Sequence, residues 1–295
     1  MSKIQEALKK IQGEDRPDRT ADSSRPDQVA TVVLETLSQE DIDSGRDGRV
    51  VRVDQGLLRA AGLLAPEDQQ RHIADQYRLI KRPILDLAAG KMADSADHAN
   101  LVMVASALSG DGKTFTAINL ALSVASEKDT TVLLVDADVA KPHISNLFGV
   151  NDEPGLIDML NDHSLTLADT IIRTDVPGLS ILPSGKVDAH ATELLASKRM
   201  ASVAMALSKA DASRIVIFDS PPLLATSESR VLASRMGQIA LVVCGGKTPQ
   251  QAVLEAISSI DDSKAINLIL NQAGSSSSDG YYGGYHYGYG ASKGE

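Results

Sequence analysis

Short apolar runs recur along the second two-thirds of the chain, and each has the length of one buried strand. They lie at 101–106, 131–135, 179–182, 215–218, 239–243 and 266–270. Segments with a helical period lie between most of them, as at 116–126, 192–209 and 249–260. Uniformly apolar strands that alternate with helices are typical of a parallel sheet covered on both faces. The pattern predicts an α/β fold, a mostly parallel sheet flanked by helices, with ligands at the carboxyl ends of the strands.

The hydrophobic pattern weakens on both sides of this core. Residues 2–12 have the spacing of a short amphipathic helix, and a polar stretch with few large apolar residues follows it. A second amphipathic stretch runs from about 66 to 90, and Pro83 is expected to bend or break it. We therefore predict an N-terminal helix with a flexible linker, a core domain and a Gly/Tyr-rich tail, over 1–65, 66–274 and 275–295.

Composition and charge narrow the class of protein. The net charge of -10 argues against a nucleic-acid partner, which usually meets a basic face. The single cysteine, Cys244, excludes a disulfide framework and fits a reducing compartment. Since no apolar stretch approaches the roughly 18–20 residues of a membrane-spanning helix, we expect a cytoplasmic protein that a partner recruits to the membrane.

A glycine-containing loop follows the first apolar run. The segment Ala107-Leu-Ser-Gly110-Asp-Gly112-Lys113-Thr114 matches the phosphate loop G-x-x-x-x-G-K-[ST], with alanine at its first position. Its glycines let backbone N–H groups face phosphate oxygens, and the following helix adds the positive end of its dipole. Lys113 would neutralise phosphate charge, and the Thr114 hydroxyl would coordinate Mg²⁺. We predict ATP and Mg²⁺ as cofactors, with nucleotide contacts from Ser109, Gly110, Asp111, Gly112, Lys113, Thr114 and Phe115.

Two later apolar strands end in aspartates. One leads to Asp136 and Asp138, whose side chains point the same way because they lie two apart on a strand. The other leads to Asp219 in the Walker B arrangement, which holds Mg²⁺ directly or through water. Either run alone is also compatible with a helix cap or a loop end. Three strand ends with site chemistry, in this order, favour one nucleotide site.

Five of the six tyrosines lie within nine positions near the C-terminus, interleaved with glycines. They are Tyr281, Tyr282, Tyr285, Tyr287 and Tyr289. Taken alone, this composition fits a low-complexity tail, a nucleic-acid stacking element or a flexible phosphoacceptor segment. The stacking interpretation requires nearby positive charge, for which only His286 and Lys293 are available.

Together these motifs resemble the bacterial tyrosine kinases, which are P-loop proteins of the same group as the Min and Par ATPases. The resemblance covers about 75–280, and the start of the chain resembles the free-standing kinases of exosortase-linked exopolysaccharide systems. Supporting segments are Pro154-Gly-Leu-Ile-Asp-Met-Leu, Leu182-Pro-Ser-Gly185, Asp219-Ser-Pro-Pro and Tyr77-Arg-Leu-Ile-Lys-Arg-Pro-Ile-Leu. The resemblance implies a protein-tyrosine autokinase that phosphorylates its tail tyrosines in trans within a homo-oligomer, and that regulates exopolysaccharide synthesis and export.

The resemblance also implies roles for single residues. Asp138 would be the base near the tyrosine hydroxyl, Asp136 and Asp219 would organise Mg²⁺, and Lys113 would contact the phosphates. The arginine that often follows the aspartate pair in the family is replaced by Ala140, beside Lys141. The family's E-x-x-R-x-x-R oligomerisation motif is also imperfect here, and its counterparts are Asp75, Arg78, Lys81 and Arg82. The last three are the predicted contacts of a ring-shaped oligomer.

Partners and alternatives complete these expectations. The resemblance implies a transmembrane polysaccharide copolymerase or chain-length protein as the activator, and a tyrosine phosphatase as the opposing enzyme. A Min/Par-like switch ATPase is one alternative, although the extra lysine that many such proteins carry early in the loop is missing. A cluster carrier of the same group would require paired cysteines. A non-catalytic scaffold of a membrane export complex remains an alternative, and tail phosphorylation distinguishes it from a kinase.

Overall fold

The computed structural model describes residues 50–91, 98–211 and 213–273. Within these residues, eight strands form one sheet: β1 Val50–Val51, β2 Leu101–Ser106, β3 Thr131–Asp136, β4 Ile172–Thr174, β5 Leu179–Leu182, β6 Arg214–Asp219, β7 Gln238–Cys244 and β8 Ala265–Asn271. Their spatial order is β1-β4-β5-β3-β6-β2-β7-β8. Only β4 and β5 pair antiparallel. The predicted α/β class with a mostly parallel sheet is confirmed.

Helices cover both faces of this sheet. They are α1 Gln55–Ala60, α2 Gln70–Ala88, α3 Lys113–Ala125, α4 His143–Leu147, α5 Leu156–Asn161, α6 Leu167–Thr170, α7 Ala191–Ala196, α8 Lys198–Lys209, α9 Ser227–Arg235 and α10 Gln250–Ser258. Every side chain of β2 is buried. Leu101 and Met103 belong to one apolar cluster, whereas Val102 and Val104 belong to the other. This alternation is why the strand reads as uniformly apolar.

The central strands converge at one edge of the sheet. Strands β3, β6 and β2 are neighbours and run parallel, so their carboxyl ends lie side by side. The register pairs Asp136 with Asp219, and Asp219 in turn with Val104 of β2. The loop after β2 therefore starts next to both aspartate-bearing strand ends.

The fold begins before the predicted boundary at residue 65. Strand β1 pairs with β4, and Asp54 caps α1 by accepting hydrogen bonds from the backbone N–H groups of Gly56 and Leu57. A two-residue edge strand and a six-residue helix are too short for a periodic signal, so they were read as linker. The predicted helix at 2–12, the earlier linker and the tail tyrosines lie outside the described residues.

Two predicted helices differ in detail. Helix α2 continues through Pro83, so of the expected bend or break, the break does not occur. Proline lacks the N–H for one helical hydrogen bond, but Tyr77, Ile84 and Leu87 are buried on one side of the helix, which packs on α3. The segment 192–209 is divided into α7 and α8 at Ser197, whose side chain caps α8. None of the described helices combines the length and the apolar character that a bilayer crossing requires.

Candidate nucleotide site

The phosphate loop joins β2 to α3 in a tightly turned conformation. Gly110 and Gly112 have φ angles of 89° and 97°, in the left-handed region that side chains with a Cβ rarely adopt. A Cβ at Gly112 would lie only 2.0 Å from Nδ2 of Asn271, whereas a Cβ at Gly110 would meet no atom within 4 Å. The positive φ angle favours glycine at both positions. At Gly112 the lack of space for a Cβ beside Asn271 favours it as well.

Residues of the β7–α10 turn and of β8 hold this loop. Asn271 Nδ2 donates to the carbonyl oxygen of Asp111 over 2.9 Å. The Asp111 carboxylate accepts from the N–H of Leu108 (3.1 Å) and from the Thr248 hydroxyl (2.8 Å). The Asp111 side chain is buried and held by these hydrogen bonds, so the predicted contact of Asp111 with a nucleotide, which stays a prediction, would come from its backbone. Its backbone remains part of the loop.

Two aspartates and the first hydroxyl of α3 meet at the carboxyl edge of the sheet. Thr114 Oγ1 donates to Asp219 Oδ2 over 2.7 Å. Asp136 Oδ2 accepts from both the N–H and the hydroxyl of Ser145, each over 2.7 Å. Both carboxylates are almost completely buried. Local hydrogen bonds thus occupy one oxygen of each carboxylate and fix its orientation.

The second oxygen of each carboxylate has no hydrogen-bond partner. Oδ1 of Asp136 and Oδ1 of Asp219 are both buried and accept no hydrogen bond. Burial raises the pKa of Asp136 to about 6 and that of Asp219 to about 7. Repulsion adds to both shifts: the charge of Asp138 acts on Asp136, and the charges of Asp136 and Asp138 act on Asp219. Unpaired buried carboxylate oxygens are costly. A cation at this position would relieve both the missing contacts and the repulsion.

The chemistry of this donor set fits Mg²⁺. Mg²⁺ prefers oxygen ligands, and it usually takes one or two from carboxylates and the remainder from phosphates and water. Asp136, Asp219 and the Thr114 hydroxyl supply such oxygens. The part of the chain that the structure describes contains no group of three or more His, Cys, Asp or Glu side chains placed to hold a metal alone. Two carboxylates and one hydroxyl leave coordination positions for phosphate and water oxygens, as in a Mg²⁺ ion bound together with a nucleotide.

Asp138 lies beyond this pair, at the wall of an open cleft. The cleft has a volume of about 580 Å³, which is in the range of small-ligand sites. Asp138 is half-buried, and burial raises its pKa, an effect that its hydrogen bond from the Lys141 N–H and the positive charge of Lys113 partly oppose. His143 also lines the cleft. The Asp138 carboxylate thus lies in the same cleft as the phosphate loop, where a reactant other than the nucleotide could approach it.

Most predicted nucleotide contacts line this cleft. They are Ser109, Gly110, Gly112, Lys113, Thr114 and Phe115, and Asp138 joins them. Sequence reasoning missed other residues that line the cleft. They belong to the turn after α1, the Pro-Pro turn after β6 and the end of β8: Gly62, Leu63, Pro221, Pro222, Thr226 and Gln272. The Pro-Pro pair after Asp219 could have indicated a rigid turn beside the site. The turn after α1 gave no such indication.

The residues predicted to contact a neighbouring subunit divide into two groups. Arg78 and Arg82 are exposed on α2, and Arg78 pairs with Asp75 one turn earlier. Lys81 is buried; its Nζ donates to the carbonyl oxygen of Ser123 (2.6 Å) and lies 2.8 Å from Glu127. These contacts hold Lys81 against its own chain, so its contact with a neighbouring subunit stays a prediction, for which the exposed Arg78 and Arg82 are better placed.

Comparison with known protein families finds a match for most of the described sheet and its helices. A family model described as an AAA domain matches residues 99–260. Tyrosine-protein kinase YwqD of Bacillus subtilis (strain 168) is 30% identical over 237 residues, which cover 79% of this chain and 96% of that protein. Tyrosine-protein kinase wzc of Salmonella typhi is 31% identical over 190 residues, which cover 62% of this chain and 26% of that protein.

Solved structures of kinase domains resemble this fold as well. The kinase domain of the Escherichia coli tyrosine kinase ETK has a TM-score of 0.61 and 26% identity, covering 84% of this chain and 92% of that domain. The VpsO kinase domain has a TM-score of 0.58 and 28% identity, covering 70% and 99%. This chain thus spans nearly all of a short relative, but about a quarter of a long one.

Proposed function

Since this chain belongs to the bacterial tyrosine-protein kinases, we propose that it transfers the γ-phosphoryl group of ATP to tyrosines of its own C-terminal segment. The observation that carries this proposal is the pair of buried, unpartnered oxygens on Asp136 and Asp219, beside the hydroxyl of Thr114. These oxygens point to a cation bound together with a nucleotide at the phosphate loop. Asp138 supports the kinase assignment because it adds a carboxylate where an acceptor hydroxyl could enter.

Each residue of the site has a distinct task in this proposal. Thr114, Asp136 and Asp219 would hold Mg²⁺, which would supply positive charge against the phosphates of the nucleotide. Ser145 fixes Asp136, so that Oδ1 of the carboxylate stays free for the site. The backbone around Gly110 and Gly112 and the Nζ of Lys113 bind the phosphate oxygens. The protein thus acts chiefly by positioning and by electrostatic stabilisation.

Transfer requires one bond to form and one to break. The acceptor tyrosine oxygen forms a bond to the γ-phosphorus while the bond from that phosphorus to the bridging oxygen breaks, and ADP leaves. A phenol with a pKa of about 10 is protonated at neutral pH, so its proton must pass to an acceptor. Asp138 accepts it, since burial raises its pKa and makes it a better base than an ordinary aspartate.

The acceptors proposed are Tyr281, Tyr282, Tyr285, Tyr287 and Tyr289, phosphorylated in trans within a homo-oligomer. Arg78 and Arg82 on the exposed side of α2 are the proposed contacts between subunits. We further propose that the kinase regulates exopolysaccharide synthesis and export, and that a transmembrane copolymerase or chain-length protein activates it and recruits it to the inner face of the membrane. A tyrosine phosphatase would remove the phosphates from the tail tyrosines. The support for these partners is the family resemblance.

Mass spectrometry after incubation with Mg·ATP tests the proposal. We expect phosphate on the tail tyrosines of the parent chain, and a loss of at least about 10²-fold in Lys113→Met, because the lysine stabilises charge on the transferred group. The experiment is repeated with the cytoplasmic end of a candidate activator. A tail that stays unmodified with and without the activator, while ATP is hydrolysed, would instead identify a switch ATPase.

Asp138→Asn separates binding from transfer. The amide keeps the shape of the side chain but is a far weaker base, so we expect nucleotide affinity within about twofold of the parent and transfer slower by about 10²–10⁴-fold. Nucleotide affinity is measured by fluorescence titration, and transfer by the rate of phosphotyrosine formation. Equal transfer rates in Asp138→Asn and the parent would remove Asp138 from the proposed mechanism.

A further inference from the structure

An apolar groove lies between α2 and the edge strand β8, and it is referred to here as the α2–β8 groove. Its volume is about 820 Å³. Three leucines that face it are largely exposed: Leu79 by 77%, Leu268 by 61% and Leu270 by 64%. A polar rim surrounds them, formed by Asp68, His72 and Gln76. Grouped exposed leucines inside a polar rim are typical of a surface that another segment covers.

The strand that forms one wall of the groove is also open along its backbone. Strand β8 is the last in the sheet and pairs with β7 on one side. Within the described residues no strand pairs with its other side. Proteins usually cover or blunt such edges, because unpaired N–H and C=O groups invite another chain. The α2–β8 groove thus offers both an apolar floor and hydrogen-bonding groups to an extended segment.

The position of the chain ends indicates which segment this is. Ala273, where the described structure ends, lines the groove, and 22 residues follow it in the sequence. The N-terminal 49 residues join the fold at β1, the opposite edge of the sheet. Seven strand spacings of about 4.8 Å separate the two edges, or roughly 34 Å. The C-terminal tail therefore starts at the groove, and the N-terminal segment starts on the far side of the molecule.

The composition of the tail fits the chemistry of the groove. Each tyrosine has an apolar ring that can cover a leucine and a hydroxyl that can reach a polar rim. From 280 to 290 the tail carries no Asp, Glu, Lys or Arg, so docking there buries no fixed charge. The eight residue-to-residue steps from Ala273 to Tyr281 reach up to about 26 Å when extended. The tether also keeps the tail at a local concentration in the millimolar range.

We propose that the tyrosines of 281–289 lie in the α2–β8 groove of their own chain before they are phosphorylated. The docking does not depend on the proposed kinase activity, but its consequence does. Each phosphate adds about -1.5 to -2 charge units, which an apolar groove between leucines disfavours. A phosphorylated tail leaves the groove and exposes β8.

Photo-crosslinking from within the groove tests this docking in the full chain without ATP. The probe p-benzoylphenylalanine replaces Leu268, and unlabelled and ¹⁵N-labelled chains are mixed before illumination. We expect cross-links from position 268 to peptides of 274–295, at the mass of one chain and without mixed isotopes. The matched control places the probe at Leu254, an exposed leucine of α10 that does not line the groove. From there we expect a yield at least about tenfold lower.

A second variant asks whether the tyrosine rings carry the docking. Replacing all five tail tyrosines with serine should lower the yield from position 268 to that from position 254. Mixed-isotope cross-links, cross-links to residues 1–49 or to the folded part of a second copy, equal yields from the two positions, or an unchanged yield in the serine variant would each overturn the proposal. Because no ATP is present, these results are independent of whether the chain phosphorylates itself.

Discussion

At the residue scale, Gly112 is the position where the phosphate loop tolerates least change. Gly112→Ala would place a methyl group 2.0 Å from Asn271 Nδ2, at a φ angle of 97° that alanine avoids. Asn271 would have to move and would lose its hydrogen bond to the Asp111 carbonyl. Adding about 1–3 kcal/mol of backbone strain to about 1 kcal/mol for the hydrogen bond, we expect the free energy of unfolding to fall by about 2–4 kcal/mol. Urea denaturation measures it.

Gly110→Ala is the matched control for this prediction. Its φ angle of 89° imposes similar strain, but no atom lies within 4 Å of the added carbon. We expect a fall of about 1–3 kcal/mol, from strain alone and without the further contribution of about 1 kcal/mol for the lost hydrogen bond. Nucleotide affinity should fall more in Gly112→Ala, because that variant also disturbs the anchor of the loop. Equal effects of the two substitutions would show that contact with Asn271 does not matter.

The sequence indicated the residues of the candidate site, but not the residues that hold them in place through hydrogen bonds. Lys113, Thr114, Asp136 and Asp219 were predicted because each belongs to a local motif whose chemistry constrains it. Ser145 and Thr248 were missed, because nothing within a few residues of either one indicates that it will meet Asp136 or Asp111. Such contacts depend on the path of the chain between distant strands. For the same reason the sequence could not show that the Asp111 carboxylate turns inward.

At the scale of elements, Lys81 joins α2 to the end of α3. Its Nζ donates to the carbonyl oxygen of Ser123, in the last turn of α3, and pairs with Glu127 just beyond. Carbonyls at a helix C-terminus lack helical partners, so a cation there is favourable. Lys81→Met removes this charged donor and the ion pair with Glu127, and leaves the Ser123 carbonyl with the hydroxyl of Ser126 as its hydrogen-bond donor. We expect the free energy of unfolding to fall by about 1–3 kcal/mol, measured by urea denaturation.

Arg78→Met on the same helix is the control. Its pair with Asp75 is exposed on both sides, and such pairs contribute about 0–1 kcal/mol. We expect little loss of stability from this change. Should Lys81→Met leave the monomer as stable as Arg78→Met does while shifting the oligomer mass, Lys81 would be a contact between subunits after all.

Whether a strand could be predicted from the sequence depended on its length. The six apolar runs correspond to β2, β3, β5, β6, β7 and β8. Burial on both sides keeps the first five mostly apolar, whereas β8 is an edge strand whose Leu268 and Leu270 are exposed. Strands β1 and β4 have two and three residues, and β4 includes Arg173, so neither gave a pattern. The sequence did not decide between a bend and a break at Pro83, because packing of α2 against α3, which compensates for the lost hydrogen bond, is not visible in a single segment.

At the scale of the whole molecule, the parallel character of the sheet followed from its alternation with helices, but the strand order did not. That order brings β3, β6 and β2 together, and it places β1 and β8 at opposite edges. Crossover connections of similar length allow several orders. The groove beside β8 and its distance from the N-terminal segment therefore became visible only in the structure.

Charge is the property through which the tail can act on an assembly. Phosphorylation of all five tail tyrosines would add about -7 to -10 charge units, at about -1.5 to -2 each, to a chain whose net charge is already -10. In a homo-oligomer this addition is repeated in every subunit. Repulsion between subunits rises with the product of their charges, and a phosphorylated tail is no longer an acceptor for its neighbour. We therefore expect phosphorylation to dissociate the oligomer.

Multi-angle light scattering before and after incubation with Mg·ATP measures this dissociation. The parent should change from oligomer to monomer as phosphotyrosine accumulates, and added salt should weaken the effect, because the Debye length falls from about 10 Å at 0.1 M to about 3 Å at 1 M. The control replaces the five tail tyrosines with phenylalanine, which keeps the rings but removes the acceptor hydroxyls. That variant should remain an oligomer under the same treatment. An unchanged mass in a fully phosphorylated parent would show that the contacts between subunits outweigh the added charge, and that the tail regulates something other than assembly.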